Sequence, residues 1–257
     1  MDLESRFPAR DTEHTVAKSS KFPSHRHKSP CTNCITRRFC LHDHLDIDEL
    51  DFLTGQYTQR MQIKSGDPIF RSGDPIHSLY TVRAGFVKLE YNLPNGKHQV
   101  NHFATIGDLI GSDGIANGKH QLDATALTDG ELCSLNFSTL QLLMQENYSI
   151  QKAIECTLSR ELNNSQEHLL SLGSYNVEQK LAHFLLHMHN KLNVLHLNSM
   201  SINLPMNRDD LKSYLGVTAE SLSRAFTNLE KNKYFYVKNR KIDNMDTKRL
   251  AELLEPT

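Results

Sequence analysis

The sequence predicts an α+β fold made of an antiparallel β-roll, a long helix and a winged helix-turn-helix, in that order. Three stretches carry this. From Met61 to about residue 138, alternating runs such as SLYTVRAGFVKLEYNL and QVNHFATI are broken by Gly, Asp and Pro, which marks many short antiparallel strands. From Tyr148 to Leu172 there is neither Gly nor Pro, so a long helix is expected. In RDDLKSYLGVTAESLSRAF two helical runs flank Gly216, the layout of a helix-turn-helix.

Composition sets the outer limits. A chain of 257 residues, 38% hydrophobic, suffices for one large or two ordinary domains with real cores. The formal net charge is only −1, so a surface for nucleic acid must be local. No apolar run reaches the roughly 18 residues of a membrane span, and MDLESRFPARDTEHT lacks the apolar stretch of a secretory signal. No membrane association and a cytoplasmic location are expected. Structural disulfides are rare there, and five cysteines is an odd number, so the thiols read as reduced and available as ligands.

Taken in order, residues 1–30 are rich in Ser, His, Arg, Lys and Pro and predict a flexible tail. Ile47, Leu50, Leu53 and Tyr57 then fall on one face of an amphipathic helix. The roll follows, with turns at Ser65-Gly66-Asp67-Pro68, Ser72-Gly73-Asp74-Pro75 and Ile106-Gly107-Asp108, and a hairpin at Asn95-Gly96. Strand signals continue through DATALTDGELCSLNF. In the long helix, Leu158, Leu162, Ser165 and Leu169 share one face, and Gly173 supplies a stop. By itself that face serves equally as a core element or as a dimer seam. A two-fold axis that sets two reading helices one DNA turn apart favours the seam. Residues 176–190 form another helix with Val177, Leu181, Phe184, Leu185 and Met188 on its apolar face. His183, His187 and His189 read there as a solvated face, because no Glu completes a metal-binding set.

At the C-terminal end Asn207 caps a helix with Asp209 and Asp210 in its first turn. Gly216 permits a sharp turn, and Thr218 caps a second helix. Leu211, Leu215, Val217, Leu222 and Phe226 make the shared core. An ordinary helical hairpin has the same skeleton. What favours double-stranded DNA as the partner is the polar start of the second helix, with Glu220, Ser221, Ser223 and Arg224. An arginine can bond two guanine acceptors and a carboxylate can accept from cytosine, each worth about 1–3 kcal/mol of discrimination. KNKYFYVKNRKID reads as a two-stranded wing whose Lys231, Lys233, Lys238, Arg240 and Lys241 suit phosphates.

Cys31, Cys34 and Cys40 are spaced C-x2-C-x5-C, with His42 and His44 behind and Cys133 far downstream. Thiolates at such spacing can wrap an iron–sulfur cluster. A structural zinc site is the rival, although its usual form is paired C-x2-C knuckles. Cys133 alone reads as a buried strand cysteine, and Cys156 as a small packing residue of the long helix. No Gly-rich phosphate loop, G-x-S-x-G elbow or H-E-x-x-H occurs, so an enzyme is not expected.

From about Cys31 to near the C-terminus these motifs resemble the CRP/FNR superfamily of bacterial transcription regulators, specifically its FNR (fumarate and nitrate reductase regulator) branch. The resemblance implies a cyclic-nucleotide-binding-domain-like roll with its cluster segment over residues 31–145, a dimerisation helix over 146–173 and a DNA-binding domain over 174–257. It implies Cys31, Cys34, Cys40 and Cys133 as ligands of an oxygen-labile [4Fe–4S] cluster. The run Val217–Arg224 resembles the recognition helix, with Thr218, Glu220, Ser221, Ser223 and Arg224 as DNA-binding residues, on a TTGAT-spacer-ATCAA-like palindrome bound by a homodimer. Leu158, Leu162, Ser165 and Leu169 would form the dimer interface, and the loop Asn92–His98 is similar in position to a surface that touches RNA polymerase. The cyclic-AMP branch grips phosphate with an Arg-Ser pair. Here the corresponding stretches are Gly107-Asp108 and Gln121-Leu122-Asp123. Acidic residues without a partner Arg would repel phosphate, so no cyclic nucleotide is expected. The implied function is an oxygen-responsive regulator of anaerobic gene expression. The alternative is a regulator of the same fold without a functional cluster, answering another signal such as nitric oxide or binding DNA constitutively.

Overall fold

The computed structural model describes residues 57–93, 96, 98–193 and 201–255. The expected tail, Cys31, Cys34 and Cys40, the helix positions Ile47, Leu50 and Leu53, and Asn95 of the hairpin lie outside the described residues.

Eight strands build the roll: β1 Thr58–Ile63, β2 Pro68–Phe70, β3 Ser78–Ala84, β4 Val87–Asn92, β5 His98–Ala104, β6 Leu109–Ile110, β7 Asp123–Ala126 and β8 Gly130–Asn136. They pair antiparallel in two four-stranded sheets, ordered β1-β8-β3-β6 and β2-β7-β4-β5. Period-two alternation decides which side chains go inward: Val87 and Leu89 of β4 are buried, while Lys88 and Glu90 between them are only partly so. Ile63, Val82, Val87, Leu89, Ile110, Ala124 and Leu132, drawn from both sheets, form one core. In the two Ser-Gly-Asp-Pro turns the aspartate closes the loop. Asp67 Oδ2 accepts the Lys64 N–H and Asp74 Oδ2 the Arg71 N–H, each at 2.8 Å. β4 and β5 pair antiparallel from Asn92 opposite His98, on either side of Gly96.

Three helices follow: α1 Phe137–Glu146, α2 Tyr148–Ser174 and α3 Val177–Asn193. Strand signals were expected to run to about residue 138, but α1 begins at Phe137 because Asn136 Oδ1 accepts the Thr139 N–H at 3.0 Å and caps it. Asn147 ends α1 and caps α2, accepting from Ile150 N–H at 3.2 Å. The expected stop at Gly173 is also corrected. The helix passes through it to Ser174 and ends at the extended Tyr175. A glycine permits an exit but does not compel one. The break comes where Asn176 and Gln179 exchange two 3.0 Å bonds as a capping box for α3. Leu79, Leu109, Leu135, Leu140 and Leu143 clamp the first half of α2 through Ile150, Ala153 and Ile154.

The C-terminal unit comprises α4 Arg208–Leu215, α5 Ala219–Lys231, α6 Thr247–Glu252, and a small sheet of β9 Ile202–Asn203, β10 Tyr236–Lys238 and β11 Lys241–Asp243, ordered β10-β11-β9. The wing therefore has three strands rather than the expected two, β9 being too short to carry a period. Its core continues into the roll: Val100 and Phe103 of β5 pack in the same cluster as Leu181, Phe184, Leu211, Leu222 and Phe226. Ser213 of α4 is bonded to β5, donating from Oγ to His98 O at 3.2 Å and accepting from Val100 N–H at 2.9 Å.

Candidate nucleic-acid interface

The turn between α4 and α5 is built from local chemistry. Asn207 Oδ1 accepts the Asp210 N–H at 2.7 Å and starts α4. Gly216 ends it in the left-handed conformation, φ 62°, which a residue without Cβ adopts freely. Thr218 Oγ1 accepts the Ser221 N–H at 3.1 Å and starts α5. Leu222, Ala225, Phe226 and Leu229 are buried, so the opposite face points outward. Thr218, Glu220, Ser223 and Arg224 are exposed and Ser221 is half-buried. Arg224 Nη2 reaches Ser221 Oγ at 3.4 Å. One carboxylate, one guanidinium and three hydroxyls thus stand together on the first turns of an exposed helix. Leu211, Leu215, Leu222 and Phe226 are buried as expected, with Val217 packed against them.

The end of α5 and the wing that follows it carry basic residues. Lys231, Lys233, Lys238, Arg240 and Lys241 are all exposed. Lys241 pairs with Asp243 at 2.8 Å, and Arg240 donates to Pro205 O at 3.2 Å. Arg208 lies with its guanidinium 3.5 Å from the centre of the Phe226 ring, which anchors the start of α4 to α5.

On α2, Leu158 packs partly against the apolar cluster under the helix, whereas Leu162, Ser165 and Leu169 are exposed. Ser165 Oγ donates to Glu161 O at 2.9 Å. Leu170 is exposed as well, so the second half of α2 carries exposed leucines, and Leu158, Leu162, Ser165 and Leu169 border the cleft between this helix, the roll and α3.

Cys133 sits in β8 between Arg60 of β1 and Thr81 of β3 and is half-buried. It borders a cavity of about 20 Å³ whose walls include Leu79, Leu109, Leu135 and Leu140, the same leucines that clamp the first half of α2. Cys156 is half-buried on that helix.

A cleft of about 570 Å³ opens between the roll, α2 and α3. His183 and His187 face into it together with His102, His168, Glu161 and Tyr214. The expected solvated histidine face is therefore corrected: α3 turns it towards α2. Burial pushes the His187 and His168 imidazoles down to about 4, and that of His183 down as well. No lysine or arginine is among the described residues lining the cleft, while Asp113, Glu161 and Glu167 are. The expectation that these acidic residues have no partner Arg is corrected at Asp123, which Arg71 meets, whereas Asp108 is met by a lysine. Lys191 Nζ lies 2.5 Å from Asp108 Oδ1, and Arg71 Nη1 lies 3.3 Å from Asp123 Oδ2. Sequence inspection missed both because each partner is distant along the chain.

The cyclic nucleotide-binding domain family matches residues 60–147, and the Crp-like helix-turn-helix domain family matches residues 179–253. The anaerobic regulatory protein of Pasteurella multocida is 31% identical over 87% of this chain and 82% of its own. Electron transport regulator A of Shewanella oneidensis is 32% identical over 84% and 86%. The fumarate and nitrate reduction regulatory protein of Escherichia coli K12 is 30% identical over 87% and 89%. Among solved structures, that of FixK2 from Bradyrhizobium japonicum covers 78% of this chain and 98% of its own, with 25% identity and a TM-score of 0.70. No helix among the described residues is long and apolar enough to cross a membrane.

Proposed function

The chain belongs to the CRP/FNR family of transcription regulators, and from that premise we propose that it is an oxygen-responsive regulator of anaerobic gene expression, acting as a homodimer on a palindromic DNA site. Its relatives are regulators rather than enzymes. The exposed start of α5 enters the major groove, where Arg224 and Glu220 read base edges and Thr218, Ser221 and Ser223 complete the contact. The wing lysines and Arg240 hold phosphates. The apolar stripe of α2, with Leu158, Leu162, Ser165 and Leu169, pairs with its copy and sets the spacing of the two reading helices. The roll with its cluster segment, the dimer helix and the DNA-binding unit then act as three successive domains of a cytoplasmic protein, and the β4–β5 hairpin meets RNA polymerase.

Cys31, Cys34, Cys40 and Cys133 would hold a [4Fe–4S] cluster, which when bound would supply an oxygen-labile iron–sulfur group. One observation carries the link to DNA: Cys133 shares its leucine surroundings with the first half of α2. A change at Cys133 would disturb the leucine packing that orients the dimer helix and so would favour one state of the dimer over the other. The cleft does not suit a cyclic nucleotide, since no basic side chain among its described lining residues faces a phosphate.

Anaerobic absorbance with iron and sulfide analysis, joined to operator binding before and after air, tests this. About four irons per chain, a visible band bleached by air and a parallel loss of operator affinity are expected. A colourless reconstituted protein that still binds the operator would instead favour a regulator without a cluster, and equal affinity with and without air would remove the oxygen switch.

A further inference from the structure

A second cation-binding constellation lies where the roll meets the helix-turn-helix unit. Glu90 of β4, His98 at the start of β5 and Asp210 of α4 each offer one ligand atom within 4.8 Å of the other two. It is the only such trio of His, Cys, Asp or Glu among the described residues. Asp210 is 4% exposed, although its place in the first turn of a helix suggests a solvated carboxylate. The side chain of Glu90 is 13% exposed, and His98 is open to solvent.

At present the ammonium of Lys88 serves this group. It lies 2.8 Å from Asp210 Oδ1 and 2.9 Å from Glu90 Oε2. Glu90 Oε2 is buried, with the Lys88 ammonium beside it. One ammonium against two carboxylates leaves a net negative charge, with the His98 imidazole beside it.

We propose that Glu90, His98 and Asp210 form a binding site for a first-row divalent metal ion, which displaces the Lys88 ammonium and clasps the roll to α4. Two carboxylates and one imidazole are a mixed oxygen and nitrogen donor set that suits such ions. It has too few oxygens for calcium, which takes about six to eight. Bonds of about 2.0–2.2 Å would draw the three donors together, and Lys88, on a flexible stem, swings towards solvent. The ligands come from two strands of the roll and from the first helix of the DNA-binding unit. Occupancy therefore opposes separation of the two, because the separated state has no complete ligand set.

Manganese(II) is the probe, because it prefers oxygen and nitrogen donors over thiolates. Binding to the full chain is followed by loss of the free-ion electron paramagnetic resonance signal. In the same samples, hydrogen exchange over residues 208–215 reports on α4. One site is expected that weakens at least tenfold in His98→Gln and in Glu90→Gln, tightens in Lys88→Gln, and slows exchange in α4 of the unsubstituted chain. His98→Gln alters an exposed side chain, so the fold is retained. Manganese binding that is unchanged in His98→Gln would overturn the proposal, and so would the absence of binding at millimolar ion in both the unsubstituted chain and Lys88→Gln.

Discussion

Lys191, in the last turn of α3, places its ammonium 2.5 and 2.7 Å from the two carboxylate oxygens of Asp108, in the turn between β5 and β6. Asp108 Oδ2 also accepts the Thr105 N–H at 2.9 Å and lies 3.4 Å from His102 Nε2. Burial pushes this carboxyl up, but the Lys191 ammonium and His102 outweigh it and hold the group well below the usual carboxylate range. The pair fastens α3, which carries the helix-turn-helix unit, to the turn that organises one edge of the roll.

Removing the acid should therefore cost more than an ordinary surface pair. Asp108→Asn is expected to lower stability by about 3 kcal/mol, because Lys191 is left partly buried without its counter-charge. Urea unfolding measures this. Adding Lys191→Met to Asp108→Asn should recover part of the loss, since the stranded charge is then gone. Additive losses would show that the two groups do not interact.

Acid should weaken the fold in two windows. The folded-state values of His168 and His187 lie near 4, below the ordinary 6.5. Between those values the unfolded chain takes up protons that the folded chain refuses, so stability falls as the pH drops from about 6.5 towards 4. Asp108 has a folded-state value below its ordinary 3.8. Its contribution is fully present above that value and is lost as the pH falls below it. Urea midpoints at pH 7.5, 6 and 5 should therefore decline in that order, and His187→Gln should flatten the decline. A flat profile would mean that neither imidazole is held neutral by the fold.

The α2 stripe gives a separable test of association. Leu162 and Leu169 are 58% and 66% exposed, so Leu162→Glu should leave the fold of one chain intact. It should weaken self-association at least about tenfold, or roughly 1.4 kcal/mol. Sedimentation gives the dissociation constant, and circular dichroism confirms the fold. Unchanged association would place the dimer seam elsewhere.

On DNA, Arg224→Ala should cost about 1–3 kcal/mol on the specific site and relax preference at one base pair. Arg240→Ala should weaken binding to all sequences alike and reduce the salt slope by about 1. Anisotropy titrations with matched and mutated operators separate the two. Equal losses on specific and random DNA for Arg224→Ala would take that residue out of base reading.

Sequence alone determined the elements whose causes lie within a few residues of one another. The strands follow from alternation and their Asp-closed turns. The helix-turn-helix follows from the Asn207 and Thr218 caps around Gly216, and the exposed polar face of α5 follows from where Leu222 and Phe226 fall. The C-x2-C-x5-C spacing likewise stands in the chain as written. Short elements such as α1, α6 and β9 were missed or misread, because a few residues carry too little period to outweigh their neighbours, although the Asn136 and Asp246 caps signal two of them. Tertiary structure alone decided the partners of charge. Asp108 meets Lys191 83 residues away, and Asp210 meets Lys88 across 122. It also turned His183 and His187 from a presumed solvated face into the wall of a cleft. Periodicity and capping act through bonds between near neighbours, whereas burial and ion pairing depend on which surfaces meet once Val100 and Phe103 have joined the core of the C-terminal unit.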